Sequence, residues 1–333
     1  METVERDYTP KGVRFYYLYK ALVHPEYHGY ITPFTLEERL MHAKEAQRRL
    51  GSRIPWIVDA MTNDLKHALG NAPNGEFIVD PEGKVARRRA SSDPTALRAD
   101  LEELVGAVEK PTRVEDLDLQ ARPPPAPTVA TGVVPRVEVP GTMRALRIEP
   151  VLEGNKVPFY VKLRAEADQD FLREGEGQLY LGFHLDPLYE VHWNNLAPPL
   201  ELEIEAPDGV RVTPAKLQAP KPKEEADADP REFLVRVAAD RIAAEEGSSD
   251  PLQLSVLYYA CDNANTFCVP VRQNYAVHLT ADSDGGSPFS RTAMPGGAGF
   301  LDSMDSNADG TIDAHELEAA DKNRDALLGR APN

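Results

Sequence analysis

The side chains best suited to chemistry lie near the carboxyl end of the sequence, in a run where acidic and small residues alternate. Oxygen donors recur there at the spacing of a calcium-binding loop: Asp305, Asn307, Asp309, Thr311 through its carbonyl, Asp313 and Glu316. Gly310 supplies the sharp turn, and Glu316 can offer two oxygens from the helix that follows. Since calcium takes about six to eight hard oxygen ligands, this loop predicts a Ca2+ site.

The calcium loop and its flanking helical segments, 300–304 and 314–320, resemble an EF-hand. A second start at Asp321 repeats the first ligand spacings but carries Ala326 in place of the glycine and Pro332 in place of the last glutamate. We therefore expect one competent calcium site. The alternative, an acidic solvated tail, fits so complete a match poorly.

The chain has two cysteines, Cys261 and Cys268, and they form the second candidate site. They lie at the end of one predicted strand and the start of the next, so the turn between them could bring the sulfurs within bridging distance. Two interpretations stay open with similar weight, a redox-active disulfide and a disulfide that only staples the loop. A bridge across so short a loop constrains the unfolded chain modestly, which slightly favours chemistry.

The region 143–282, which contains the cysteines, alternates apolar with polar side chains as half-buried antiparallel strands do. Its runs predict an all-β sandwich. They are 146–150, 159–165, 178–185, 200–205, 233–237, 252–259 and 275–279. The acidic insert 221–229 is predicted to be a solvated loop.

The stretch 258–270 resembles the amino-terminal, immunoglobulin-like domain of the DsbD thiol:disulfide interchange proteins, in which two cysteines exchange a disulfide with partner proteins. The resemblance implies an immunoglobulin-like sandwich, redox roles for Cys261 and Cys268, and a thioredoxin-like redox partner. An extracytoplasmic, periplasmic location is favoured.

An α/β domain is predicted upstream, because three short runs are rich in apolar, β-branched and aromatic residues, as buried strands of a parallel-type sheet are. These runs are 13–19, 54–58 and 76–80. Thr35 and Glu38 have capping-box spacing and Gly51 can end the helix between the first two runs. Its apolar residues recur at helical period: Leu36, Leu40, Ala43 and Leu50.

The second half of this domain predicts a short helix at 64–69, a hairpin at 77–89 and a closing helix. Asp93 can cap that helix and Pro94 fits its first turn. Its buried stripe would contain Leu97, Leu101, Leu104, Val105 and Val108. The order of elements is that of a thioredoxin-type fold after its first strand, which is missing from the chain.

Four motifs of this domain resemble bacterial relatives of the iodothyronine deiodinases, over about a third of the chain. They are 15–25, 34–40, 54–59 and 76–84. The resemblance implies that His24, in a His-Pro pair, assists redox chemistry, and that a selenocysteine or cysteine nucleophile ends the strand before Met1. Either the domain has lost that catalytic end, or Met1 is a false start downstream of a selenocysteine codon. We favour truncation, because residues 1–8 look like the tail of the helix that follows the nucleophile.

A Pro-rich segment between the two domains has no amphipathic period and is predicted to be an extended, semi-rigid linker. The predicted organisation is a deiodinase-like thioredoxin-fold domain at 1–112, a linker at 113–142, a DsbD-like β-sandwich at 143–282, a Gly/Ser linker at 283–299 and an EF-hand tail at 300–333.

The net charge of −17 argues against nucleic-acid binding, because few groups could neutralise phosphates. The basic cluster 87–89 is the exception and is interpreted as a solvated strand edge. No apolar run reaches the roughly 20 residues of a membrane span. Five further histidines lack a Cys or His at ligand spacing and are interpreted as core or surface imidazoles: His42, His67, His184, His192 and His278.

Two hypotheses of function follow. The first is a calcium-binding thiol-redox protein, in which a deiodinase-like domain is coupled to a disulfide-exchange β-domain by a tether that raises the effective concentration of one site near the other. The second is a non-catalytic, extracytoplasmic calcium-binding protein whose first domain is a relic. The substrate and the electron donor are not predicted.

Overall fold

The computed structural model of the 333-residue chain forms two compact units. It describes residues 1–26, 29–70, 72, 74–119, 128–139, 143–152, 157–240, 250–262 and 266–286. The first unit contains Met1–Val23 and the described part of Pro33–Pro127, and the second contains the described part of His24–Thr32 and the described residues from Thr128 onward. The predicted EF-hand tail lies outside the described residues.

The first unit alternates helices with short strands, as predicted. Its elements are α1 (Glu2–Tyr8), β1 (Tyr17–Tyr19), α2 (Leu36–Leu50), β2 (Trp56–Val58), α3 (Asp64–Leu69), β3 (Glu76–Val79), β4 (Val85–Arg89) and α4 (Pro94–Val105). The first two strands pair in parallel and β3 pairs antiparallel with β4. In the described residues these are two separate two-stranded sheets, whereas one parallel-type sheet was predicted.

The ends of α2 are where the capping pattern predicts them. The hydroxyl of Thr35 accepts a hydrogen bond from the Glu38 amide at 3.2 Å, and the Glu38 carboxylate accepts one from the Phe34 amide at 2.7 Å. Gly51 ends the helix in the left-handed region, at a φ of 62°, where glycine is favoured. At the amino end, the contacts of Thr35 and Glu38 satisfy backbone amides that have no partner within the helix.

The buried face of α2 differs from the prediction. Leu36 and Leu40 are 47% and 42% exposed, whereas Arg39 is 1% exposed. The Arg39 guanidinium donates to the carbonyls of Asp59 and Ala60, at 3.2 and 2.6 Å, beyond the end of β2. Of the rest of the predicted stripe, Ala43 is 3% exposed and Leu50 is 58% exposed, so only part of the stripe is buried.

The helices α1 and α4 form the core cluster of the first unit. Val4 and Tyr8 of α1 pack against Leu97 and Leu101 of α4, and all four side chains are buried. The Asp93 carboxylate caps α4, as predicted, by accepting hydrogen bonds from the amides of residues 95 and 96. The predicted stripe is confirmed only in part, because residues 104 and 105 are exposed whereas Val108 packs against the cluster.

The basic cluster lies on the edge strand β4 and Arg88 is exposed, as interpreted, but its arginines also have specific partners. Arg89 forms ion pairs with Glu76 of β3 and Asp100 of α4. Arg87 pairs with Glu103 at 2.9 Å, and the Arg88 guanidinium lies 5.7 Å from the ring centroid of Phe77. The cluster thus ties the hairpin to α4 through acidic partners that strand patterning did not indicate.

The second unit is built on one curled sheet of eleven strands. These are β5 (Arg144–Pro150), β6 (Val161–Ala167), β7 (Glu176–Leu185), β8 (Val191–Asn194), β9 (Glu201–Glu205), β10 (Val210–Thr213), β11 (Lys216–Gln218), β12 (Ala226–Asp227), β13 (Arg231–Ala239), β14 (Leu252–Asp262) and β15 (Cys268–Ala281), with α5 (Gln169–Glu174) before β7. Each predicted run overlaps a strand, although residues 159, 160 and 200 lie outside β6 and β9. The structure adds the short strands β8, β10, β11 and β12, which were not among the predicted runs.

The sheet is continuous because β5 pairs with strands on both sides. Arg144 and Ala145 lie opposite β6, and the later part of β5, including Ile148, lies opposite β15. The strand order is β10-β13-β7-β6-β5-β15-β14-β8-β12, with β9 on β14 and β11 on β9. The prediction that this region is mostly β-sheet is confirmed, with the short helix α5 in addition, and the two-sheet sandwich stays a prediction.

The predicted solvated loop 221–229 is buried at its end. Asp227 is fully buried, where its carboxylate accepts hydrogen bonds from Arg231 and Asn195, both at 2.6 Å. The Asp229 carboxylate accepts three hydrogen bonds from the successive amides of residues 132, 133 and 134, at 2.7, 2.6 and 2.8 Å. Acidic composition alone did not reveal these partners, which lie elsewhere in the chain.

The described ends of the predicted linker make tertiary contacts within their own units. The carbonyls of Asp116 and Asp118 accept hydrogen bonds from Arg6 and Arg53 of the first unit. Residues 128–139 contact the second unit through Asp229 and other groups. Among the helices of the described residues, none combines the length and the apolar character that crossing a membrane requires.

Candidate functional site

The hairpin of β14 and β15 places the two cysteines directly opposite each other. Cys261 pairs with Cys268 in the strand register, their Cα atoms are 4.0 Å apart, and the two residues form a disulfide. The Asp262 carboxylate helps to close the turn by accepting hydrogen bonds from the Phe267 and Thr266 amides, at 2.9 and 2.6 Å. The Phe267 amide first, and then the Thr266 hydroxyl, lower the pKa of Asp262.

The two cysteines differ in their access to solvent. Cys261 is 6% exposed, whereas Cys268 belongs to the exposed residues. In thiol–disulfide exchange an incoming thiolate attacks one sulfur and the other leaves with the electron pair. Of the two cysteines, Cys268 is therefore the one that a thiolate from solvent could reach more readily.

The neighbouring strand β8 adds polar groups to the disulfide. The Asn194 side-chain amide donates a hydrogen bond to the sulfur of Cys268 at 3.1 Å, although the two residues are 74 positions apart in the sequence. His192 lies directly opposite Cys261 in the register between β8 and β14. Residues directly opposite each other in antiparallel strands project from the same face, so His192, Cys261 and Cys268 form one row.

Trp193 anchors β8 on the other face of the sheet. Its indole nitrogen donates to the Asp229 carbonyl at 2.7 Å, and its ring meets that of Tyr258 edge-on at 5.6 Å. The Arg231 guanidinium lies 4.9 Å from the Trp193 ring centroid. Since neighbouring strand residues alternate between faces, burying Trp193 directs His192 and Asn194 to the face that carries the disulfide.

An aromatic cluster supports the turn of the hairpin from the start of β6. Phe267, which precedes Cys268, stacks on Tyr160 with ring centroids 5.6 Å apart. Tyr160 in turn meets Tyr189 edge-on at 5.4 Å. These three half-buried rings therefore pack next to the residue that precedes Cys268.

His24, the other predicted redox residue, lies elsewhere. It is exposed, in the segment that follows β1, and next to the buried Pro25. Within the described part of the chain, the contacts recorded for the cysteines are with each other and with Asn194, and they do not include His24.

The predicted calcium ligands cannot be placed. Asp305, Asn307, Asp309, Thr311, Asp313 and Glu316 all lie outside the described residues. Among the residues that are described, no group of three or more His, Cys, Asp or Glu side chains is arranged to hold a metal ion.

Asn194 and His192 are the residues of this site that sequence reasoning missed. The interpretation of His192 as an ordinary imidazole considered only spacing along the chain, and the neighbours of this residue come from a distant strand. The alternation of residues 191–194 around an apolar tryptophan was the available signal for a strand here.

The fold and the disulfide define a protein of two compact units, one of them all-β with a cystine at the end of a hairpin. No protein-family model matches the chain, and a search of curated proteins also found no match.

Proposed function

We propose that this chain is a thiol-redox protein whose second unit exchanges the Cys261–Cys268 disulfide with the dithiol of a thioredoxin-like partner. The observation that carries the proposal is the unequal exposure of the two cysteines. An exchange site needs one sulfur that a partner can reach, and a disulfide that only staples a turn does not.

The exchange has two displacement steps. A partner thiolate attacks the sulfur of Cys268, the disulfide bond breaks, and its electron pair goes to the sulfur of Cys261. The second partner thiol then loses its proton to solvent and its sulfur attacks the mixed disulfide, which releases Cys268. The pair of cysteines gains two electrons and two protons, and the partner dithiol becomes a disulfide.

A redox titration of the full-length protein tests this function. The oxidised chain is equilibrated with dithiothreitol couples of known potential, and free thiols are trapped and counted by mass. We expect a midpoint above about −300 mV, the level below which structural disulfides lie. The variant with both cysteines replaced by serine provides the baseline. A midpoint below that level, with resistance to mild dithiols, would instead favour the non-catalytic alternative.

We infer that the first unit is a thioredoxin-type domain of the kind found in deiodinase relatives. The inference is supported by the order of elements, in which α2 connects the parallel strands β1 and β2 and is followed by α3, a hairpin and α4. His24, the residue proposed to assist its redox chemistry, follows β1 in the sequence and belongs to the second compact unit.

Calcium binding by the loop 305–316 is the second proposed function, and its complete set of oxygen donors supports it. Calorimetry with calcium on the full chain should give a saturable heat. In Glu316→Gln the bidentate carboxylate is lost, and we expect affinity to fall by at least about tenfold. Asp321→Asn, in the incomplete second loop, is the matched control and should bind as the unchanged protein does. The absence of a calcium-dependent heat would refute this function.

A further inference from the structure

We propose that His192 is the proton donor for the sulfur of Cys261 when the disulfide opens. The inference rests on the proposed disulfide exchange and assigns it a further residue. It comes from the strand register, in which β8 places His192 directly opposite Cys261, in line with the disulfide.

A proton donor matters for Cys261 because this residue is buried. Cys261 is 6% exposed, and its sulfur receives the electron pair in the first displacement step. A thiolate in so enclosed a position is disfavoured, because burial penalises the charged form of a thiol. A group that transfers a proton as the bond breaks removes that penalty and makes Cys261 a better leaving group.

His192 has the position and chemistry for this transfer. Directly opposed side chains in antiparallel strands have Cβ atoms about 4.5–5.5 Å apart, which puts an imidazole within reach of the opposite sulfur. His192 is 8% exposed, so it shares the enclosed environment of Cys261. Imidazole is also the side chain that exchanges protons most readily near neutral pH.

In this proposal, two residues of β8 act on different sulfurs, Asn194 on that of Cys268 and His192 on that of Cys261. Asn194 donates to the sulfur of Cys268 at 3.1 Å, where its amide can stabilise the thiolate released in the second step. In the first step the imidazolium of His192 gives its proton to Cys261, which becomes a thiol, and the neutral imidazole regains a proton from solvent.

Other titratable and charged groups flank this row. By register, Tyr259 on β14 and Arg272 on β15 share the face of the row, and Glu190 precedes β8. Asp262, next to Cys261, projects from the opposite face, where Asp227, Asp229 and Arg231 surround Trp193. A pH profile must therefore be compared between variants that differ at His192 alone.

The test is the rate at which dithiothreitol reduces the oxidised full-length protein between pH 5.5 and about 9. The ratio of the rates of unchanged protein and His192→Gln cancels the titration of the attacking dithiol. We expect this ratio to reach about tenfold at the acidic end and to fall toward one at the alkaline end. His278→Gln, a histidine on β15 that lies 3.4 Å from Glu149, is the matched control and should leave the rate unchanged.

A second substitution, His192→Asn, guards against a folding defect, and both variants are compared with the unchanged protein by circular dichroism and urea unfolding. A rate ratio of one at every pH in a folded variant overturns the proposal, as does a constant ratio that does not depend on pH. Failure of the proposed function is separate, because a structural disulfide would show its low equilibrium potential whatever the rate ratio.

Discussion

Individual carboxylates of the second unit are held by specific cationic and hydroxyl partners. The Glu232 side chain is buried and accepts two hydrogen bonds from the Arg136 guanidinium, both at 2.8 Å. It also accepts hydrogen bonds from the Tyr180 hydroxyl at 2.6 Å and the Val137 amide at 2.9 Å. Burial acts to raise the pKa of Glu232, but the hydrogen bond and charge of Arg136 and the Tyr180 hydroxyl together lower it.

The lowered pKa of Glu232 predicts a specific loss of stability in acid. Because the folded-state pKa is below the unfolded-state value, the carboxylate stabilises the fold above the ordinary glutamate range, and this contribution disappears as pH falls through the folded-state pKa. Glu232→Gln should therefore reduce the free energy of unfolding at pH 7 by about 3 kcal/mol, and by progressively less below pH ~4.

Urea unfolding across this pH range measures the difference. Glu201→Gln, a substitution at an exposed glutamate on β9, is the control and should stay close to the unchanged protein at every pH. If Glu232→Gln and the unchanged protein differed by a constant amount down to the most acidic pH, the assignment of the charge to this network would be wrong.

At the scale of elements, short segments are positioned by contacts with distant parts of the chain. The strand β8 has four residues, and Trp193 anchors it by its hydrogen bond to Asp229 and its contact with Tyr258. The segment 128–139 is held in turn, since the Asp229 carboxylate accepts three successive backbone amides. The same aspartate therefore links this segment to the strand that carries Asn194.

Removal of the Asp229 carboxylate should release the segment 128–139. Asp229→Ala leaves three backbone amides without their acceptor, so we expect a loss of about 2–3 kcal/mol in the free energy of unfolding. Asp229→Asn keeps one acceptor oxygen and should lie between the alanine variant and the unchanged protein.

Hydrogen exchange of residues 132–134 distinguishes this local effect from general destabilisation, because these amides should lose protection first. Asp208→Ala, in an exposed turn, is the matched surface control. Unchanged protection of residues 132–134 in Asp229→Ala would contradict the role assigned to this carboxylate.

At the scale of the whole molecule, the two compact units do not follow the linear order of the chain. The segment His24–Thr32 belongs to the second unit, although it is flanked by residues of the first. Its Glu26 side chain is buried and pairs with Arg136 at 3.2 Å and with Arg164 at 3.7 Å. The buried carboxylate of Glu26 is paired with arginines more than 100 positions away in the sequence, and composition along the chain does not reveal such a pairing.

Local signals predicted the elements of the described residues well. The cap at Thr35, the stop at Gly51, the cap at Asp93 and the strand runs of the second unit depend on interactions within a few residues or on simple alternation. The exposed stripe of α2 was not predicted, because the decisive contacts of Arg39 are with carbonyls beyond β2.

The candidate site shows the same division. Adjacent strands and a short turn were enough to predict that Cys261 and Cys268 could meet, since only local geometry is involved. Which sulfur is exposed, and that Asn194 and His192 lie beside the pair, depends on the pairing of β8 with β14. Strand pairing is a long-range choice, made by the packing of Trp193 and its neighbours, and no pattern within one segment of the chain contains that information.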